Sequence, residues 1–134
     1  MLDKVNIFIT KFDLERLKNL LDKKLRLDDY DHALLTELKK AQVVEPELIP
    51  GDVITMNSKI RLKEENGDSW DCTLVFPEDA DIEEDKISIL SPIGCSIIGY
   101  KVGSTISFPT PKGDKQVSVE DILYQPERSG DMNI

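Results

Sequence analysis

Histidine and cysteine are almost absent from this chain, which contains one histidine, His32, and two cysteines, Cys72 and Cys95. Zinc sites and histidine-based catalytic triads need several such side chains at set spacings, and no such spacing occurs here. Cys72 alternates with Trp70 and Leu74 on an apolar strand face, which predicts a buried, unreactive thiol. We therefore expect no metal site, no cofactor and no catalytic residue, and we do not expect an enzyme.

Long apolar runs are also missing. No stretch approaches the ~20 residues that a membrane-spanning helix requires, and the apolar part of residues 1–10 is too short for a secretory signal. We therefore expect a cytoplasmic protein without membrane contact. The 134 residues suffice for one ordinary domain, or for a small domain with an appendage, and we expect a monomer.

Basic residues are too few to balance the acidic ones, so the formal net charge is −9. Residues 1–50 hold nine Lys and Arg against ten Asp and Glu, whereas residues 51–134 hold eight against sixteen. Affinity for nucleic acid comes mostly from Lys and Arg that neutralise phosphates, so independent binding to nucleic acid is not expected. A partner with a basic surface or channel fits this charge better.

Two charged segments stand out within this pattern. Lys59, Arg61 and Lys63 form a basic row on one strand, which is either a solvated sheet face or a contact for acidic segments of a partner. The acidic run over residues 78–85 lacks the ligand spacing and central glycine of a calcium-binding EF-hand loop. We interpret this run as a solvated loop between strands.

Helical periodicity marks the N-terminal part of the chain. Apolar residues recur at helical spacing over residues 11–25 and again over residues 30–42, which predicts two amphipathic helices. Thr10 is expected to cap the first helix, with Asp13 completing a capping box. Because the connector is short and polar, we predict an antiparallel helical hairpin over residues 1–45, with arms of about 20 Å.

A linker over residues 46–51 follows, in which Pro46 and Pro50 stop helix propagation. The apolar period then changes to two, and it predicts strands around Ile60 and Leu62 and over residues 69–76, 86–90, 105–108 and 116–124. A slip in the apolar parity of the last strand predicts a bulge at Glu120 and Asp121. The predicted fold class is α+β, with a helical hairpin followed by an antiparallel sheet that wraps one short helix.

The most informative stretch covers residues 87–103, which predict a buried strand, a one-turn helix and the start of another strand. Ser91 can accept a hydrogen bond from a free backbone N–H, and Pro92 stands where a missing N–H costs nothing. Gly99 can end the helix in a left-handed conformation, and Gly103 can supply a second tight turn. We call residues 91–94 the signature turn.

This stretch resembles the C-terminal domain of the bacterial Gre transcript-cleavage factors, in which a Ser-Pro-(Ile/Leu)-(Gly/Ala) turn leads into an apolar helix and a Gly-x-x-x-Gly spacing. The match continues through residues 105–108 and 119–124. Residues 52–58 and 124–127 resemble more narrowly a short branch of that family, the regulators of nucleoside diphosphate kinase. The resemblance implies that residues 52–134 form a Gre C-terminal-like domain with an FKBP-like fold.

In the Gre family the globular domain docks on the rim of the secondary channel of RNA polymerase, so the resemblance implies a contact through the signature turn. The residues concerned are Ser91, Pro92, Ile93 and Gly94. Helix capping and burial explain the same residues without a partner, so a structural role and a combined structural and binding role both stay open.

The family also places the hairpin tip inside the channel, where acidic residues help to hold the second catalytic magnesium. The corresponding residues here are Asp28, Asp29 and Asp31. They could equally cap the second helix and favour its positive end. A polymerase-directed electrostatic role is the alternative, although arms this short are not expected to bring a magnesium ligand to the active centre.

The resemblance therefore implies a bacterial transcription regulator that binds core RNA polymerase near its secondary channel. We expect it to compete with Gre factors without stimulating RNA cleavage. The alternatives are a cleavage-stimulating factor that acts through the acidic tip and, with less support, an FKBP-type peptidyl-prolyl isomerase. Fold alone does not confer isomerase activity, and eight aromatic residues spread over the chain are few for such a pocket.

Overall fold

Two short helices precede a five-stranded sheet that is mostly antiparallel, in agreement with the predicted α+β class. A computed structural model describes residues 7–131 of the chain. The elements in chain order are β1 Phe8–Thr10, α1 Lys11–Asp22, α2 Asp29–Lys40, β2 Gln42–Val44, β3 Lys59–Glu64, β4 Ser69–Val75, β5 Lys86–Ser88, α3 Gly94–Ile97, β6 Thr105–Thr110, β7 Gly113–Tyr124 and α4 Pro126–Ser129. Single 3-10 turns occupy Pro46–Leu48, Pro77–Asp79 and Ile82–Glu84.

The first helix begins as the sequence predicts and ends earlier. Thr10 caps α1, and its Oγ1 accepts a hydrogen bond from the N–H of Asp13 at 3.0 Å. The helix ends at Asp22, because the chain turns away to bring the ammonium group of Lys24 to the carboxylate of Asp31 at 2.6 Å. Leu25 is therefore fully exposed in the loop, and its prediction as part of an apolar helix face is wrong.

The second helix is two residues shorter at its C-terminal end than predicted, because Gln42 belongs to a strand. This strand, β2, pairs in parallel with β1 from Phe8↔Gln42 to Thr10↔Val44. The pairing joins the start of α1 to the end of α2, so the chain folds back on itself. The weak alternation of residues 5–9 is compatible with a short strand or an extended lead-in; the structure has a strand from Phe8, and residues 5 and 6 lie outside the described part of the chain.

The larger sheet has the strand order β5-β4-β3-β7-β6. Every pairing in it is antiparallel except that of β4 with β5, so the prediction of a purely antiparallel sheet is wrong at this edge. The reason is the connection over residues 76–85, whose two 3-10 turns bring the chain back to run beside β4 in the same direction. The predicted bulge is confirmed: Arg61 pairs with Asp121 while Leu62 pairs with Val119, which leaves Glu120 without a partner on β3.

A single hydrophobic core joins the helices to the sheet. Leu17 of α1 and Leu34 of α2 are fully buried in one cluster with Ile97 of α3 and with the inward-facing residues of β3, β4, β6 and β7. Helices of twelve residues are marginal on their own in water, so this shared core is what stabilises them. No helix within residues 7–131 is long and apolar enough to cross a membrane.

The segment predicted as a linker is held in place by the end of the chain. The side-chain amide of Gln125 donates to the carbonyl oxygens of Pro50 and Val53, both at 2.8 Å. The Arg128 guanidinium donates to the carbonyl oxygens of Gly51 and Ile122 at 3.1 Å. We call residues 125–128 the C-terminal clasp. The clasp fixes the position at which the helical part joins the sheet.

Candidate functional site

The signature turn is fixed by hydrogen bonds of its own backbone and hydroxyl groups. Ser91 Oγ accepts from the N–H of Gly94 at 3.0 Å, as predicted for a cap, and donates to the carbonyl oxygen of Ser88 at 2.6 Å. The Ser96 hydroxyl donates to the carbonyl oxygen of Pro92 at 2.8 Å. Ser91, Pro92 and Ile93 are half-buried, so the turn presents part of each side chain to solvent in one defined geometry.

Gly94 is required at the end of this turn because there is no room for a side chain. A Cβ atom at this position would lie 2.0 Å from the carbonyl oxygen of Ser88 and 2.9 Å from Ser91 Oγ. The first of these atoms belongs to the backbone and can move only if the turn itself moves. The glycine therefore lets the start of α3 pack directly against the end of β5.

Replacing Gly94 with Ala should lower the free energy of unfolding by about 3 kcal/mol, because relieving the clash shifts the turn. Chemical denaturation measures this loss. Gly51→Ala is the matched control, since its Cβ would meet only the flexible side chain of Arg128 at 2.9 Å and the expected loss is smaller. Equal losses in the two variants would contradict the close packing proposed for Gly94.

The acidic tip is mainly a helix cap. Asp28 caps α2 in a full capping box. Its side chain accepts a hydrogen bond from the N–H of Asp31, and the Asp31 side chain accepts one from the N–H of Asp28. Asp31 is completely buried. Burial raises the pKa of Asp31, but the hydrogen bonds from Lys24 and the Asp28 N–H outweigh that effect and hold the pKa below its ordinary value. Only Asp28 and Asp29 are exposed to a partner.

The tip and the signature turn are neighbours. Helix α2 packs against α3, and the Tyr100 hydroxyl, just beyond α3, donates to Glu37 of α2 at 3.5 Å. Burial raises the pKa of the Cys95 thiol, and the carboxylates of Asp28 and Asp31 raise it further, so the tip lies within electrostatic reach of α3. The structure thus brings the two predicted site regions onto one side of the molecule.

One buried carboxylate has a role that the sequence analysis missed. Asp13 is 1% exposed, and it accepts hydrogen bonds from the N–H of Met56 at 3.1 Å and from Arg16 at 2.6 Å. Nearby, Glu127 accepts from the Thr55 hydroxyl at 2.8 Å. Burial raises the pKa of both carboxyl groups. Asp13 therefore connects α1 to the segment that precedes β3. Its two carboxylate oxygens accept from Arg16 and Met56, and it does not complete the predicted capping box.

The residues considered for metal or thiol chemistry are separated or buried. Within residues 7–131, no three His, Cys, Asp or Glu side chains are arranged to hold a metal ion. His32 is exposed on α2. Cys72 and Cys95 are buried free thiols, and burial raises the pKa of Cys72 to about 12, so this thiol stays protonated at neutral pH.

The basic row on β3 is partly neutralised. The Arg61 guanidinium makes two hydrogen bonds to the facing carboxylate of Asp71, at 2.9 and 3.3 Å. Lys59 and Lys63 are exposed on either side of it. The arrangement resembles an ordinary solvated strand with a cross-strand ion pair more than a groove for phosphates.

The N-terminal and the C-terminal part of the chain each match a family of known proteins. Residues 49–124 match the family described as Transcription elongation factor, GreA/GreB, C-term. Residues 6–44 match the family described as Rnk N-terminus. The chain is 34% identical over 131 residues to the Regulator of nucleoside diphosphate kinase of Escherichia coli K12, and this match covers 93% of the chain and 94% of the relative.

GreA proteins match over a shorter part. Transcription elongation factor GreA of Syntrophomonas wolfei is 43% identical over 77 residues, which are 57% of this chain and 48% of that protein. GreA of Acidiphilium cryptum is 33% identical over 65% of this chain and 56% of its own length. The chain thus spans about half the length of these GreA relatives.

Solved structures support the same relationship. The prokaryotic transcription elongation factor GreA/GreB from Nitrosomonas europaea superposes with a TM-score of 0.77 at 38% identity, covering 90% of this chain and 100% of that one. GreA factor homolog 1 of Thermus thermophilus, with a TM-score of 0.50 and 24% identity over 89% of this chain and 99% of its own, shares the fold. The family matches, the full-length relative and the shared fold together establish that this chain belongs to the GreA/GreB family of transcription elongation factors, with an N-terminal part of the Rnk type.

Proposed function

We propose that this protein is a cytoplasmic bacterial transcription regulator that binds core RNA polymerase at the rim of the secondary channel. It acts as a monomer, does not bind nucleic acid on its own, and competes with the longer Gre factors without stimulating RNA cleavage. Docking occurs through the signature turn of the FKBP-like part of the chain, residues 52–134. The helical part, residues 1–45, partly occludes the channel entrance.

The observation that carries this proposal is the rigid signature turn. Three hydrogen bonds of serine hydroxyl groups fix Ser91 and Pro92. Gly94 packs against the end of β5 with no room for a side chain. A turn held this firmly gives the same surface to every partner molecule, so little conformational entropy is lost on binding. Ile93 contributes an apolar side chain that is only half-buried in the free protein.

The short helical part supports the lack of cleavage stimulation. Helices α1 and α2 have twelve residues each, which corresponds to about 18 Å at the helical rise. Helix α2 also packs against α3. Such a molecule can cover an entrance, but its carboxylates stay far from a distant metal ion.

Size-exclusion chromatography should detect this protein in the same fraction as core RNA polymerase, and added Gre factor should reduce the amount. The two proteins are expected to compete because they share the C-terminal domain that docks on the rim. Failure to co-elute at micromolar concentrations of both components would remove the central proposal.

The contribution of the signature turn is tested with Ile93→Asp in the same assay, using Ile87→Asp as the matched control. Both isoleucines are half-buried beside the core, so both variants should lose similar stability. We expect Ile93→Asp to weaken polymerase binding by at least about tenfold relative to Ile87→Asp. Equal binding by the two folded variants would assign the turn a purely structural role.

A cleavage-stimulating factor is the second candidate, and the exposure of Asp28 and Asp29 favours it. These two carboxylates stand at the start of α2 with no ion-pair partner among residues 7–131. A direct cleavage assay separates the two candidates.

A further inference from the structure

The tip of the hairpin between β3 and β4 carries the only Asn-Gly pair in the sequence, Asn66-Gly67. The N–H of Gly67 donates to the carbonyl oxygen of Glu64 at 2.9 Å, which closes a β-turn. Gly67 then adopts a left-handed conformation with a φ of +95°, as is usual in a three-residue hairpin loop. Both residues of the pair are exposed to solvent.

The Asn66 side chain is bent towards the peptide bonds that follow it. Its Oδ1 atom accepts a hydrogen bond from the N–H of Asp68 at 2.9 Å, and its Nδ2 atom donates to Asp68 Oδ2 at 3.0 Å. The carboxamide carbon is therefore held on the C-terminal side of its residue, and the first backbone nitrogen on that side is that of Gly67. These are the two atoms that can close a five-membered ring.

Little shields the Gly67 nitrogen from reaction. Glycine has no side chain, and apart from its two chain neighbours no atom of residues 7–131 lies within 4 Å of the place where a Cβ atom would stand. The hydrogen bond to Glu64 restrains this nitrogen, but it lies at the exposed end of a hairpin, where local opening costs less than in the sheet core. The nitrogen is therefore free to react whenever the turn opens.

We propose that Asn66 is a site of spontaneous deamidation, a modification that needs no enzyme and no partner protein. The Gly67 nitrogen attacks Asn66 Cγ, the proton of that nitrogen passes through solvent to the departing amide, and ammonia leaves as a succinimide ring forms. Water then adds to one of the two ring carbonyl carbons and breaks its bond to the ring nitrogen. The product is aspartate at position 66, or isoaspartate, in which the backbone runs through the side-chain carbon.

Two other asparagines in the described part of the chain lack this arrangement. Asn19 is exposed on α1, but the residue after it is Leu20, whose side chain stands beside its own backbone nitrogen in a helix. Asn57 is half-buried, and the following Ser58 is fully buried. We therefore expect Asn19 and Asn57 to react more slowly than Asn66, and they serve as controls within the same molecule.

Deamidation replaces a hydrogen bond in the turn by a repulsion. Asn66 Nδ2, the donor to Asp68, becomes a carboxylate oxygen, so two negative groups face each other where a hydrogen bond of 3.0 Å now stands. Glu64 and Glu65 precede the pair and add negative charge to the same turn. The isoaspartate product also lengthens the backbone by one carbon atom, which disturbs the register of the hairpin.

The reaction is measured on the full-length protein, incubated at neutral and at mildly alkaline pH, by mass spectrometry of its peptides. We expect Asn66 to gain the mass of deamidation severalfold faster than Asn19 and Asn57, and faster at the higher pH, because the attacking nitrogen must lose its proton. Unfolding in urea should increase the rate at Asn66 further, since the bond to Glu64 is then broken. An Asn66 peptide that reacts no faster than the Asn19 and Asn57 peptides would overturn the proposal.

The effect on the fold is tested with Asn66→Asp, which reproduces the aspartate product. This variant should have a lower melting temperature than wild type at low ionic strength, and the difference should shrink at high ionic strength because exposed charges are screened. In an Asp68→Asn background the same substitution should cost little, because the new carboxylate then accepts a hydrogen bond from the amide at position 68. Equal losses in the two backgrounds would overturn the predicted weakening of the turn by repulsion.

Discussion

A backtracked elongation complex should keep its RNA intact when this protein is added, and an excess of the protein should suppress the cleavage that a Gre factor stimulates. Magnesium coordination requires carboxylate oxygens at about 2.0–2.1 Å from the ion. The tip stands on helices about 18 Å long, and α2 packs against α3. We therefore expect its carboxylates to stop short of the metal, while the protein, docked as proposed, occupies the rim. Gel analysis of end-labelled RNA measures both effects.

The control for this experiment is the double variant Asp28→Asn and Asp29→Asn. Asparagine caps a helix about as well as aspartate, so the fold of α2 is retained while two exposed charges are removed. We expect the inhibition of Gre-stimulated cleavage to change little, because docking depends mainly on the sheet part. Cleavage that the wild-type protein stimulates and the double variant does not would establish the cleavage-factor alternative.

Replacing Asp13 with Ala should lower the free energy of unfolding by about 3 kcal/mol, one of the largest losses expected for a single side chain here. The change leaves the Met56 N–H without its acceptor and Arg16 without its ion-pair partner. Glu15→Ala is the control, because Glu15 is exposed on the same helix and the expected change is below about 0.5 kcal/mol. Urea denaturation followed by circular dichroism gives both values.

The pH dependence of the Asp13 contribution has a defined sign. Burial raises the pKa of Asp13 above its ordinary value of 3.8, with Arg16 acting in the opposite direction. The folded state therefore holds this proton more tightly than the unfolded state does. The stability advantage of wild type over Asp13→Asn should be largest below pH 3.8 and should shrink as the pH rises through the folded pKa. An advantage that grows with pH would mean that the ion pair with Arg16 dominates.

Local sequence signals predicted the features that depend on residues close together in the chain, such as helix caps and tight turns. Thr10, Ser91 and Gly99 behave as their residue types suggest, with Gly99 at a φ of +86° and the other two accepting hydrogen bonds three residues ahead. The bulge near Glu120 was also visible, because a slip of one residue moves the apolar side chains to the other face. The α+β class and the one-turn helix followed from these signals.

The features that the sequence did not predict depend on distant parts of the chain. Strand β2 has only three residues, too few for an alternating pattern to identify it, and no local signal reveals that β1 pairs with β2, or β4 with β5, in parallel. The partner of Asp13 is a backbone N–H 43 residues away, which no side-chain pattern reveals. Asp31 looked like an exposed tip residue because its burial depends on Lys24 folding over it. Tertiary packing, and not local preference, decided each of these features.

The C-terminal clasp has a consequence for how the protein is made. Three of its hydrogen bonds join Gln125 and Arg128 to backbone atoms between 72 and 77 residues earlier in the chain. During translation the two N-terminal helices leave the ribosome well before the clasp has been synthesised, so they emerge without the contacts that fix the joint. A nascent chain that lacks residues 125–128 therefore carries the signature turn without the hydrogen bonds of the clasp. The joint between the helical part and the sheet is completed only after residues 125–128 have been translated.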